Sequence, residues 1–130
     1  MSIFKNGIPL QKIIVAYLPP VLWAALIFTF SSQSILPGFE ESVHNFIFKK
    51  LAHITVYLVL YLLVVHAVIS TISEKRQKTI LLLPIFICLI YAISDEFHQS
   101  LVPGRYATLR DIGYDSLGIG IAFLKKYGYI

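Results

Sequence analysis

Three stretches of this chain, about Ile13 to Ser31, Leu51 to Ile72 and Ile80 to Phe97, are apolar almost from end to end. Each approaches the roughly 20 residues that a helix needs to cross a bilayer. A soluble domain of 130 residues would bury a single core, and three such stretches would leave it too little polar surface to face water. Composition agrees: 57% of the residues are hydrophobic and 14% charged, with a mean hydropathy of +0.75, outside the range of ordinary soluble domains. The chain therefore reads as one membrane domain over residues 1–130.

A fourth helix, from about Asp111 to Leu124, is expected on other grounds. It carries Asp115, Gly113, Gly118 and Gly120 and would fail on hydropathy alone. However, the basic pair Lys125-Lys126 follows it, and Gly and Ser permit close helix packing in membranes. The predicted fold class is all-α, an integral membrane bundle of four transmembrane helices. Pro19 and Pro20 should kink the first helix, because proline removes a backbone donor and crowds the preceding turn. That first segment is longer than the apolar part of a signal peptide and no small-residue cleavage pattern follows it, so it is expected to remain as a helix.

The connection Gln33 to Lys50 has a Pro37-Gly38 turn, then Val43, Phe46 and Ile47 at helical spacing. These features predict a short helix lying on the membrane surface in the first loop. The second connection, Ser73 to Thr79, is short and basic; the third, His98 to Arg110, contains Pro103 and Gly104.

The net charge of +4 is spread in short basic groups between apolar segments and forms no stripe, which argues against nucleic acid and for anionic lipid headgroups as partner. Cys88, the single cysteine, lies in an apolar run and reads as core. Both termini and the second loop hold Lys5, Lys12, Lys75, Arg76, Lys78, Lys125 and Lys126, against Lys49, Lys50, Arg105 and Arg110 on the other side. The positive-inside bias then places the protein in the cell membrane with both termini in the cytoplasm.

Whichever way the bundle points, four alternating helices bring the end of the first, the start of the second, the end of the third and the start of the fourth to one face. Those positions carry Ser31-Ser32-Gln33, then Lys50 and His53, then Asp95-Glu96 with His98 and Gln99, then Arg105, Asp111 and Asp115. Six of the seven acidic residues fall on this side, Glu74 being the exception. At about 100° per residue, Lys50, His53, Tyr57 and Tyr61 share one stripe of helix two. Tyr91, Asp95 and Gln99 do the same on helix three, and Asp111, Asp115 and Gly118 on helix four. Facing these stripes to lipid would cost about 2.5–3.5 kcal/mol per charge near the bilayer centre. Convergence on one pocket is the expected alternative.

Trp23 through Phe30-Ser31-Ser32-Gln33, Lys50-Leu51-Ala52-His53 followed by Tyr57, and Asp95-Glu96-Phe97-His98-Gln99 continuing through Pro103-Gly104-Arg105 to Asp111, Asp115 and Gly118 together resemble the VanZ-like family. The last run is the specific one. The resemblance implies a small multi-pass bacterial membrane protein, of a family named for a member linked to teicoplanin resistance, and so a connection to the cell envelope and to antibiotic resistance.

Each polar group has a functional and a structural reading. His53, Asp95, Glu96 and Asp111 are the candidates for proton transfer or for holding a divalent cation. Asp95 and Glu96, being adjacent, cannot both line one cavity equally well, and Asp95 is preferred, with Gln99 one turn on. Structurally, they would be interfacial charges paired with Lys50 and Arg105. Asp111 and Asp115, at i and i+4, either bind a cation or share a proton; structurally, Asp111 caps helix four and Asp115 bonds a neighbouring helix. Lys50, Gln99, Arg105 and Asp115 are the candidate ligand-binding residues. Arg105 follows a turn that Gly104 can make with positive φ, and its fork suits a phosphate or carboxylate. His66 reads as a core histidine, and Trp23, Tyr57 and Tyr61 as packing or interfacial aromatics.

The expected function is recognition, and modification as its extension, of a lipid-linked anion at the outer face, with a lipid-linked cell-wall intermediate or a glycopeptide as candidate partner. The alternative is a non-catalytic binding or assembly factor whose polar network only fixes the helices. His53, Asp95, Asp111 and Arg105 are expected to form one connected network.

Overall fold

The computed structural model describes residues 7–34 and 42–130, and among them contains four helices: α1 (Leu10–Ser31), α2 (Val43–Thr71), α3 (Gln77–Ser100) and α4 (Leu109–Lys126). The first three are long and apolar enough to cross a membrane. α4 is a regular helix at the expected place, but its charges keep it outside that class.

The start of α2 and the end of α4 have a local cause. The Ser42 side chain accepts a hydrogen bond from the Asn45 N–H at 3.3 Å and so caps α2. From there to Thr71 the chain contains neither Pro nor Gly, so nothing interrupts the helix at the Lys49-Lys50 pair. The separate surface helix expected around Val43, Phe46 and Ile47 is therefore the first two turns of α2 itself. The charges there lower the hydropathy without breaking the helix. The expected Pro37-Gly38 turn lies outside the described residues. α1 runs unbroken past Pro19 and Pro20. α4 stops at Lys126, and Gly128 follows with φ +76°, the left-handed conformation that commonly ends helices.

The side-chain contacts fix the relative directions. Tyr17 near the start of α1 meets Thr71 at the end of α2, their oxygens 3.1 Å apart; Trp23 donates to the Val56 carbonyl at 2.9 Å. α1 and α2 thus run antiparallel. Gln99 at the end of α3 reaches Ser31 at the end of α1, and the Tyr61 and Phe123 rings meet edge to face at 6.5 Å, so α1 runs with α3 and α2 with α4. The four polar ends named above do share one end of the molecule.

α2 is the centre, touching α1, α3 and α4. Its buried residues Tyr57, Leu60, Tyr61, Val64, Val65 and Val68 follow helical spacing, and they meet Cys88 and Ala92 of α3 and Ile119 and Ala122 of α4. His66 falls one position off this stripe and is exposed, which corrects its expected place in the core. The outer faces are apolar as well: Val15, Leu18, Val21 and Leu22 of α1 and Phe86, Ile90 and Ile93 of α3 are all at least half exposed. Contiguous apolar surface on this scale is unsuited to water and suited to lipid.

Candidate functional site

At the polar end of the bundle a cavity of about 600 Å³ opens between the C-terminus of α1, the first four turns of α2, the last turns of α3 and the α3–α4 loop. Six of the eight candidate residues line it, namely Lys50, His53, Asp95, Gln99, Arg105 and Asp111. Glu96 and Asp115 are buried beside it. Phe30, Phe46, Phe48 and Tyr106 supply exposed apolar and aromatic surface to the same cavity.

One wall joins α2 to α4. The Lys50 ammonium donates to the Asp111 carboxylate and lies 5.2 Å from the centres of both the Phe46 and Tyr114 rings, a cage that holds the cation by charge and by the aromatic faces. One turn deeper, His53 Nδ1 meets Asp115 Oδ1 at 2.7 Å. Asp115 is completely buried, and its other oxygen has no partner. Each carboxylate thus has its own basic partner on α2, and Asp111 and Asp115 stand in two separate interhelical pairs. The reason lies in helical spacing: Lys50 and His53 are three residues apart on α2, Asp111 and Asp115 four on α4, and parallel helices set them opposite each other.

The opposite wall joins α3 to α1. Asp95 Oδ2 accepts from Gln99 Nε2 at 3.1 Å and from the Tyr57 hydroxyl at 3.4 Å, and Gln99 also donates to Ser31 Oγ at 3.1 Å. The Arg105 guanidinium donates from its NH1 nitrogen to the Ser31 carbonyl at 3.0 Å. Asp95 Oδ1 has no partner.

Glu96 points away from the cavity, as its 100° offset from Asp95 requires, and accepts the Thr108 N–H at 2.7 Å. Thr108 in turn donates its hydroxyl to Asp111 Oδ2 at 2.9 Å. Glu96 thereby ties the end of α3 to the start of α4 and fixes the loop that carries Arg105. Gly104 turns that loop with φ +80°, the left-handed geometry expected of it.

Two expectations need correction. His53 bonds neither Asp95 nor Asp111; the expected four-residue network divides, with His53 and Asp111 in separate pairs on the α2–α4 wall and Asp95 strung to Arg105 on the other, both walls facing one cavity. Nor are Asp95 and Glu96 ion-paired with Lys50 or Arg105. Among the described residues, the only ion pairs are Lys50–Asp111 and His53–Asp115. Burial draws the Arg105 pKa below its ordinary value, against the pull of Asp95, Glu96 and Asp111, yet a guanidinium stays protonated. Among the described residues no three of His, Cys, Asp and Glu gather at distances suited to a metal ion.

Sequence reasoning undervalued Ser31, which joins Gln99 to Arg105, and Tyr57, which is fully buried and donates to Asp95. Their signal was present: Tyr57 shares the Lys50–His53 stripe, and Ser31 belongs to the Phe30-Ser31-Ser32-Gln33 run. Thr108 lies outside the three polar stripes, and it acts both through its backbone N–H on Glu96 and through its hydroxyl on Asp111.

A model of the VanZ/LLP1 family matches residues 14–125, a span that holds every residue of the two walls. No curated protein and no solved structure matches the chain.

Proposed function

This chain belongs to the VanZ/LLP1 family, and from that premise we propose that it is a cell-membrane protein recognising a lipid-linked anionic component of the bacterial envelope in the cavity at its polar end. The single observation that carries this reading is Arg105. It lines the cavity, is partly desolvated, spends one donor on the Ser31 carbonyl and has no ion-pair partner among the described residues. A desolvated cation of this kind favours an anion that can take its remaining donors in pairs, as phosphates and carboxylates do. Lys50, the other cation expected to hold ligand, is already held by Asp111, so Lys49 on the cavity rim becomes its replacement. The exposed Phe30, Phe46 and Phe48 suit the apolar chains of a lipid.

In this reading α4 is the fourth membrane helix. Its 18 residues span about 27 Å at about 1.5 Å per residue, and its carboxylates are buried against α2. The cavity then opens toward the outer leaflet with both termini cytoplasmic, following the basic-residue bias. Proton transfer to or from the ligand would fall to His53, whose Nδ1 is occupied by Asp115 and whose ring lines the cavity.

A second reading is favoured by one specific observation, the mutual pairing of Lys50 with Asp111 and His53 with Asp115: the network is structural and the protein a non-catalytic binding or assembly factor. Native mass spectrometry of gently extracted protein tests the first reading. Lipid bearing a phosphate or carboxylate should remain bound to the native chain and be lost from Arg105→Ala; retention of the same lipid by the variant sinks it. Teicoplanin susceptibility of cells with and without the chain tests the connection to glycopeptides.

A further inference from the structure

We propose that the ligand of this cavity is zwitterionic, a phosphate bearing a primary amine, with the phosphate on Arg105 and the ammonium on Asp95 Oδ1. The inference rests on the reading of the cavity as an anion site and adds the second charge.

Not every charge around the cavity is answered within the protein. Asp111 is answered by Lys50, and Asp115 by His53. Asp95 is 5% exposed and has no cation within ion-pair distance among the described residues, and its two protein donors, Tyr57 and Gln99, converge on Oδ2. Oδ1 is left buried, without a partner, on a residue that lines the cavity. A buried carboxylate oxygen without a donor is unfavourable, and native structures seldom leave one without a purpose. Glu96 Oε2 is also without a partner, but Glu96 does not line the cavity.

Arg105 stands close by, through Asp95–Gln99–Ser31–Arg105, a chain of three contacts of 3.0–3.1 Å. One cavity is therefore lined both by the residue with the unused acceptor and by the unpaired guanidinium. A purely anionic headgroup would satisfy Arg105 and be repelled by Asp95. A headgroup carrying phosphate and ammonium satisfies both, and about 600 Å³ lies within the range of small-molecule sites. The unpaired oxygen asks for an N–H donor and not merely for positive charge, which separates a primary amine from a trimethylated one.

The test uses delipidated full-length protein titrated with short-chain phosphatidylethanolamine, phosphatidylcholine and phosphatidylglycerol of identical acyl chains. Phosphatidylethanolamine should bind about tenfold tighter than either of the others, the range of one charge-assisted hydrogen bond. Asp95→Asn places an amide donor where the acceptor was and should bring the three to within about twofold of one another. Equal binding of the three by the native chain, or a preference that survives Asp95→Asn, overturns the zwitterion and leaves the anion site standing. If Asp95→Asn does not fold, the comparison of ethanolamine with choline headgroups on the native chain decides alone. Undiminished binding of all three by Arg105→Ala would instead overturn the anion site itself.

Discussion

Gly118 of α4 is pressed against the backbone carbonyl of Ile54 on α2: a Cβ added there would collide with that oxygen and lie 3.1 Å from the Leu58 nitrogen. Backbone cannot swing aside as a side chain can, so the two helices approach as closely as they do because residue 118 has no side chain. This contact sits one turn beyond Asp115 and sets the distance across which His53 and Asp115 meet.

Gly118→Ala should therefore push α4 from α2 and destabilise the protein by at least the roughly 1–3 kcal/mol of an overpacked core. Gly120→Ala is the control, since nothing lies within 4 Å of a Cβ at that position; it should be neutral or stabilise by up to about 1 kcal/mol. Thermal unfolding in one detergent compares the two, and a Gly118→Ala variant as stable as Gly120→Ala would mean that residue 118 does not limit the approach of the helices.

His53→Ala strands Asp115, fully buried and already missing one partner. Breaking a buried pair from one side costs about 3–5 kcal/mol. Asp115→Asn added to His53→Ala should recover part of that loss, because the remaining group is no longer a carboxylate. If the double variant is no more stable than His53→Ala, the two residues are not energetically coupled in the way their 2.7 Å contact implies.

Glu96→Gln keeps an acceptor for the Thr108 N–H, whereas Glu96→Ala removes it. The alanine variant should loosen the α3–α4 loop and make it several-fold more sensitive to protease, and the glutamine variant should resemble the native chain. Equal sensitivity of all three would show that Glu96 does not hold the loop.

Orientation is read by cysteine accessibility in a Cys88→Ala background. Cysteines at Lys78 and Tyr106, both exposed and at opposite ends of the bundle, should label from opposite sides, Tyr106→Cys from outside in intact cells. Labelling of Lys78→Cys from outside would invert the topology and leave the cavity unchanged.

Much of this was legible in residue spacing. The alternation of four helices fixes which ends meet, and the stripes Lys50–His53–Tyr57 and Asp111–Asp115–Gly118 fix which faces turn inward, so the shared polar end followed without coordinates. Pairing within that end did not. Whether His53 takes Asp111 or Asp115 depends on the axial offset of α2 against α4, which hydropathy does not encode. At Gly113 and Gly120, grouped with Gly118 in the sequence, an added Cβ would meet no other part of the protein within 4 Å, so neither limits the approach of α4 to α2. The start of α2 differs from expectation because Lys49 and Lys50 end an apolar window without ending a helix, and the helix runs back to its cap at Ser42. Lys50 reads as a ligand residue from its position alone, because a cation's commitment to Asp111, Phe46 and Tyr114 is visible only once α2 and α4 are packed.

The central claim is that Arg105 holds the anionic group of a membrane lipid, and solid-state NMR of the ¹⁵N-arginine-labelled chain in phospholipid nanodiscs measures that contact directly. Dipolar transfer from ³¹P to guanidinium nitrogen should give a cross-peak that disappears in Arg105→Lys and persists when Arg76 and Arg110 are each replaced by lysine. A cross-peak unchanged by Arg105→Lys, or no cross-peak that Arg105 accounts for, would contradict it.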